Sequence, residues 1–368
     1  MEKSYKFRIY PNICQQELIN KTFGCVRYVY NRALADKMSQ YEQTGKSDGF
    51  FEQCKILVQW KQELTWLKEP DKFALQYALK NLDRAYRNFF NHQSDFPKFK
   101  KKKWCRNAYT TTGNITLTKT HIKLPKLGNV KCKVSKSVDG RIVNATIYRS
   151  ASGKFFVSIC CADVQITPMD KTGKFVGIDL GIKHIVVTSD GDRITNYKYL
   201  IASQDKLAKL QRCLSRKTIG SNNWNKARIK VARQYEKIVN QRLDFLHKLS
   251  KHLISEYDVI CMENLDINKM LKNNGFAKSV LDTSWGELIR QLKYKADWYG
   301  KRMVQINRFY PSSQICSNCG YQNTAIKDLA IREWICPQCN TNHDRDINAA
   351  KNIMTIGLKQ SELTLVEI

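Results

Sequence analysis

FVGIDLGIKHIVVTSDG (residues 175–191) reads as two short apolar runs, each rich in β-branched residues, separated by a turn at Gly181. Asp179 closes the first run, with Gly177 and Gly181 on either side. A carboxylate at the end of an apolar strand is costly to desolvate unless a metal or another charge offsets it. Gly181 relieves crowding where the backbone turns beside a ligand. Long helical stretches follow, then a second apolar run, DVICMEN (258–264), which ends on Glu263. HDRDINAAKNI (343–353) opens a further helix and carries Asp346. Three carboxylates gathered by one fold would hold two Mg²⁺ ions about 4 Å apart, the arrangement that hydrolyses phosphodiesters. The expected site is therefore a nuclease centre of Asp179, Glu263 and Asp346.

Asp344 and Asp346 both lie at the start of the last helix, where an Asp serves first as an N-cap. We expect Asp344 to cap and Asp346 to face the site, with Ala349 and Ala350 small enough to let the helix approach the sheet. Just upstream, Cys316-x₂-Cys319 and Cys336-x₂-Cys339 are separated by sixteen residues, the spacing of a Cys₄ zinc ribbon. Each pair presents two thiolates to one ion, and the residues between the pairs are expected to form the hairpin that joins them. With four thiolates the Zn²⁺ would be structural. His343 is either an alternative ligand or part of the helix start.

The 368 residues carry 62 Lys and Arg against 33 Asp and Glu, a net charge of +29. Such a field concentrates polyanions and makes binding steeply salt-dependent, so the expected partner is nucleic acid. Aromatic residues form 11% of the chain, which separates it from a disordered basic tail. The excess is also local: residues 201–251, helical in pattern, hold 13 Lys or Arg against three acids. FPKFKKKKW (96–104) sets lysines among Phe96, Phe99 and Trp104, a solvated edge that also suits phosphate tracking with stacking platforms. Cys14, Cys25, Cys132, Cys213 and Cys261 read as reduced core thiols, and Cys160 and Cys161 as strand packing. No signal peptide is evident, and no apolar run approaches the roughly 20 residues of a membrane helix. A reducing cytoplasm is the expected compartment.

In the amino-terminal half, residues 2–10 alternate as a strand and Pro11–Asn12 end it. Helical periodicity follows over 13–44, 50–66 and 72–93. Short strands with Gly and Asp punctuation occupy 108–163, as in a small β-barrel or sandwich interrupted by the helices. TPMDKTGK (167–174) is the expected boundary.

GIDLG with Asp179, MEN with Glu263, and the cysteine cluster running into HDRDINAA with Asp346 resemble the split RuvC nuclease of the TnpB (OrfB) family. KFRIYPN (6–12), GCVRYVYNRAL (24–34), FPKFKKK (96–102) and FYPSSQICSNCG (309–320) extend the likeness over nearly the whole chain. The resemblance implies an α+β multidomain protein. Residues 1–12 and 105–168 would be a β-barrel-like wedge domain and 13–104 an inserted helical recognition bundle. Residues 169–310 and 343–368 would be an RNase H-like (RuvC) nuclease domain, with the zinc ribbon at 311–342. It further implies a guide RNA from the transposon end, a target-adjacent motif, double-stranded DNA as target, and a protein monomer within a ribonucleoprotein. The rival expectations are a guided DNA-binding repressor without cleavage, a protein-only transposase and a zinc-ribbon transcription factor. The intact triad favours the nuclease.

Overall fold

Alternation along β1 (Lys3–Tyr10) buries Tyr5, Phe7 and Ile9 and leaves the residues between them outward. The computed structural model describes every residue except Trp104, 272–276, Leu329 and 367–368, and for 268, 278 and 362–366 the backbone alone. Two compact units emerge, Met1–Gln165 and Ile166–Ile368.

In the first unit, α1 (Ile13–Thr44) starts at a capping box, with Asn12 accepting from the Gln15 amide and Gln15 reaching back. α2 (Phe50–Glu63) and α3 (Lys72–Phe90) pack on it through Val29, Leu34, Trp60, Leu75, Leu79 and Leu82. The chain then forms β2 (Ala108–Thr111), β3 (Thr116–Leu117), β4 (His121–Leu124), β5 (Gly128–Lys133), β6 (Arg141–Arg149) and β7 (Phe155–Ala162). The expected barrel is corrected here. Among the described residues the strands make an open, wholly antiparallel sheet in the order β2-β6-β7-β1-β5-β4-β3. Closure would require the two edge strands to pair with a stagger, and at four and two residues they are too short for it.

In the second unit, β8 (Phe175–Asp179), β9 (His184–Thr188) and β10 (Arg193–Thr195) form an antiparallel meander. Helices α4 (Tyr199–Ala202), α5 (Gln204–Ser215) and α6 (Asn222–Glu256) lead to β11 (Val259–Glu263). Helices α7 (Ile267–Leu271), α8 (Ala277–Thr283) and α9 (Trp285–Tyr299) lead to β12 (Arg302–Ile306). Both β11 and β12 join in parallel, giving the order β10-β9-β8-β11-β12. β13 (Glu333–Ile335) and β14 (Asn342–Asp344) make a separate hairpin before α10 (Arg345–Val366).

Successive residues of β11 serve opposite layers. Ile260 and Met262 pack with Leu246, Leu253, Leu288 and Leu292 of α6 and α9. Cys261 faces the other way, against Ile353 of α10. The sheet is thus covered on both faces, which is why its central strands read as continuous apolar runs. Two cysteine expectations are corrected: Cys14 and Cys213 are exposed, on the outer sides of α1 and α5. Cys25, Cys132 and Cys261 are buried as read.

At the foot of this sheet Lys301 is buried against Asp258 (2.6 Å), which also accepts from the Thr172 and Gly173 amides. Burial alone would raise the Asp258 pKa, but the Lys301 ammonium and the two amides hold it down at about 2. Asp258→Ala should therefore cost about 3–5 kcal/mol at neutral pH, because it strands the buried ammonium. Since the folded pKa is depressed, this stabilisation is present above about pH 4 and lost as pH falls towards 2. Urea melts of parent and variant at pH 7 and pH 2 check it: the difference should shrink at the lower pH.

Candidate functional site

The parallel register that pairs Met262 with Ile178 carries the next residues, Glu263 and Asp179, to adjacent strand ends. Asp179 itself pairs with Val187 of β9 on its other side, which fixes its backbone there. α10 crosses β8 at very short range. A Cβ on Gly177 would lie 1.9 Å from the Ala350 carbonyl oxygen, and Ala349 and Ala350 are both buried. Asp346 stands one helical turn before Ala350, at the same sheet end as Asp179. Asp344 caps the helix: its Oδ1 accepts from the Ile347 amide (3.0 Å), and its Oδ2 takes Arg193 (2.6 Å). Asp346 pairs with the Arg332 guanidinium at 3.5 Å, and its charge acts on Asp179.

Burial, and after it the charges of Glu263 and Asp346, together raise the Asp179 pKa to about 7. The Arg345 guanidinium and the Leu180 amide oppose the rise. Burial also raises Glu263, against a hydrogen bond that the Ser312 hydroxyl donates to it at 2.6 Å. Three converging carboxylates that cannot all ionise comfortably create a demand for cations, and their oxygens suit a hard divalent ion. The acids are not drawn together as tightly as the four cysteines, which could hold one metal ion.

All four thiols of Cys316, Cys319, Cys336 and Cys339 lie within 4.8 Å of one another and could hold one metal. Cys316–Cys339 and Cys319–Cys336 are each separated by 3.6 Å between sulfurs. The Thr341 hydroxyl and backbone, with the Asn318 amide, draw the Cys339 thiol down to about 5, the direction that favours a thiolate ligand. The hairpin expected between the two pairs is instead wrapped around the second, as β13 and β14, while the Ile315–Gln322 bridge encloses the first. The intervening residues hold a short 3₁₀ turn at Thr324–Lys327. Each Cys-x₂-Cys must turn the chain sharply, so the strand pairing belongs at the turns. His343 is corrected too: it lies in β14 rather than the helix. Its Nε2 is 3.0 Å from Cys316 Sγ, and its ring packs on Trp334.

Within 96–104, Phe96 packs edge-on against Tyr86 and Phe89, and Asn31 grips the Lys100 backbone through both its amide atoms. Lys100 sits over the Tyr30 ring at 3.6 Å. Part of this segment is thus structural, while Phe99 stays exposed; Trp104 lies outside the described residues. In the basic helices, Arg242 is committed to buried Asp282, which also accepts from the Leu200 and Ile201 amides. No helix among the described residues is long and apolar enough to cross a membrane. Sequence reasoning missed Ser312, Asn348 and Asn352, polar residues buried beside Glu263 and the cysteines. Their signals were a Ser pair after a Pro and two Asn four residues apart on an otherwise apolar helix face.

Residues 158–274 match the OrfB IS605 family, described as "Probable transposase", and 285–353 match the Cas12f1-like TNB domain. Residues 1–46 match a helix-turn-helix domain of OrfB IS605, although 13–44 form one unbroken helix here. A Streptomyces pristinaespiralis protein provisionally named as an RNA-guided DNA endonuclease is 38% identical, over 98% of this chain and 90% of its own. Escherichia coli InsQ, under the same provisional name, is 33% identical over 96% and 92%. A solved structure of Cas12f1 with sgRNA and target DNA has a likeness in fold, with a TM-score of 0.62 at 12% identity, over 96% of this chain and 98% of that one. The motifs, the sheet that carries them and these full-length likenesses agree: the chain belongs to the TnpB (OrfB) family.

Proposed function

We propose that the protein is an RNA-guided DNA endonuclease of a transposable element, cutting double-stranded DNA at Asp179, Glu263 and Asp346. The observation that carries this reading is the placement of three acids at one sheet end: the β8–β11 register sets Asp179 and Glu263 at adjacent strand ends, and α10, lying on Gly177, brings Asp346 to the same end. The sheet supports it as well: three antiparallel strands followed by two parallel ones, with the acids at the ends of the first and fourth, is an RNase H-like arrangement. The names of the relatives support guidance by RNA. Asp179, Glu263 and Asp346 would together hold the Mg²⁺ ions. Bound there, Mg²⁺ supplies an activated water and neutralises the charge on the departing 3′ oxygen. The side chains keep the ions at the strand ends, and the basic α5–α6 region draws the polyanion in.

The four thiols suit structural Zn²⁺: tetrahedral bonds of about 2.3 Å put sulfurs roughly 3.8 Å apart, against 3.6 Å for the Cys316–Cys339 and Cys319–Cys336 pairs and at most 4.8 Å for the others. In this reading the wedge comprises 1–12 and 105–168, the recognition helices 13–104, the nuclease 169–310 and 343–368, and the ribbon 311–342. A guide RNA from the transposon end pairs with one DNA strand, while the protein reads a short adjacent duplex motif. The particle would be a protein monomer with its RNA, working in the prokaryotic cytoplasm or nucleoid.

Expression with the native flanking locus, followed by sequencing of the co-purified RNA, tests the guided part. One discrete RNA ending in sequence from beyond the element is expected, and the purified particle should cut a matching duplex only with Mg²⁺ present. Random RNA together with guide-independent strand joining would replace this reading with a protein-only transposase. A discrete RNA with binding but no cutting would make it a guided repressor.

A further inference from the structure

Glu263 ends β11, paired with Ile306 of β12, so the strand sets the face its side chain leaves from but not the rotation of the carboxylate at its tip. A neighbouring loop sets that rotation. The Ser312 hydroxyl donates to Glu263 Oε1 at 2.6 Å, and Ser312 is itself only 6% exposed. Its backbone is fixed in turn: Asn352 Nδ2 donates to the Ser312 carbonyl at 2.8 Å and to the Ile315 carbonyl at 2.6 Å. One turn earlier on α10, Asn348 Nδ2 donates to the same Ile315 carbonyl at 2.7 Å, and its Oδ1 accepts from the Ser317 amide at 2.9 Å. Asn348 and Asn352 are 1% and 5% exposed. Buried amides tied down by two bonds each hold a single geometry, since each lost bond would leave a buried polar group unpaired.

The loop so gripped runs from Ser312 into Cys316, the first thiol of the cluster. α10 is also the helix that carries Asp346 in its first turn and rests on β8 at Gly177. One helix therefore places two of the three acids, Asp346 through its own backbone and Glu263 through Asn352 and Ser312.

We propose that Ser312 is a positioning residue, orienting the Glu263 carboxylate toward the divalent-ion site, and that Asn352 fixes Ser312 for that task. The inference rests on the nuclease reading of Glu263 and adds to it the group that aims this ligand. A hydrogen-bonding partner of a ligating carboxylate typically accounts for a 10–100-fold effect on metal affinity. Cleavage should suffer most at limiting Mg²⁺ and recover as Mg²⁺ is raised, because the acid itself is intact.

The test uses the full chain with its guide RNA, comparing parent, Ser312→Ala, Ser312→Thr and Asp179→Ala. Mn²⁺ binding is followed by electron paramagnetic resonance, and melting temperature is read without divalent ions. Ser312→Ala should weaken Mn²⁺ binding roughly 10-fold or more, leave guide binding at parental strength and barely move the metal-free melt. Ser312→Thr, which keeps the hydroxyl, should return affinity to within a few-fold of the parent. Parental Mn²⁺ affinity in Ser312→Ala would overturn the inference, as would equal losses in the Ala and Thr variants, which would mark a packing effect. Asp179→Ala separates the two levels. If it keeps Mn²⁺ affinity and cutting, the nuclease reading fails; if it loses both while Ser312→Ala is unaffected, only the positioning role fails.

Discussion

Asp179→Asn should abolish DNA cutting and, in the absence of divalent ions, yield a protein that melts later than the parent. The two effects have one origin. At about 7, the Asp179 pKa is far above the ordinary carboxylate value of 3.8, because burial and the neighbouring charges of Glu263 and Asp346 penalise the ionised form. Between those values the unfolded chain gives up its proton while the folded chain keeps it. Stability therefore falls as pH rises through the window and levels off above it. Every tenfold difference in proton affinity between the folded and unfolded chain is worth about 1.4 kcal/mol. With relaxation and partial solvent access, we expect about 1–3 kcal/mol to be recovered at pH 8 by removing the charge. At pH 4 the recovery should vanish, since Asp179 is then protonated in the fold. Added Mg²⁺ should reverse the order, stabilising the parent by binding its folded state and leaving the variant behind. Cutting should drop by roughly 10³-fold or more, as for groups that act as one unit, with guide and target binding retained. Melts at pH 4 and pH 8, with and without Mg²⁺, beside a cleavage time course, decide the matter. Parental cutting by the variant would remove Asp179 from the site. A melt difference independent of pH would remove it from the carboxylate cluster.

How much of this was legible in the sequence follows from where the information resides. Strand and helix periods are local, so β1, α1 and the strands bearing Asp179 and Glu263 could be read from FRIY, the 13–44 pattern, FVGID and VICME. The capping role of Asp344 was legible for the same reason, because capping is set by position within one turn. Sheet closure was not. Whether seven short strands curl into a barrel depends on edge pairing between residues far apart, and nothing local in AYTT or TL signals it. The placement of His343 against Cys316 was missed because it depends on β13 pairing with β14 around the second knuckle. Ser312 was missed because its role depends on a hydrogen bond to a residue 49 positions away. Motif spacing locates the groups that do chemistry, and tertiary contacts alone reveal those that aim them.

Gly177→Ala should be among the most damaging single substitutions in the chain, although it adds one methyl group and leaves every charged residue in place. Gly177 lies in β8 two residues before Asp179. Its missing side chain is where α10 rests: an added Cβ would stand 1.9 Å from the Ala350 oxygen and 2.7 Å from the Met354 nitrogen. Those two atoms belong to one turn of helix backbone, which cannot rotate aside as a side-chain tip would. Normal contact needs about 3.4 Å or more, so the helix must withdraw or the strand must bow. Overpacking typically costs about 1–3 kcal/mol and can cost more; a clash with rigid backbone at this range belongs at the upper end. Withdrawal of α10 also carries Asp346 away from Asp179 and loosens the grip of Asn352 on the Ser312 loop, so both routes that assemble the site fail together. Gly24→Ala is the matched control. Gly24 lies inside α1 with nothing within 4 Å of its would-be Cβ, so the change should stabilise by about 0.5–1 kcal/mol through helix propensity. Denaturant melts of the two variants should move in opposite directions, and Gly177→Ala should lose Mn²⁺ binding along with cutting. A Gly177→Ala protein with parental stability and cutting would mean that α10 does not lie on β8 at this distance, and that the third acid is brought to the site by some other support.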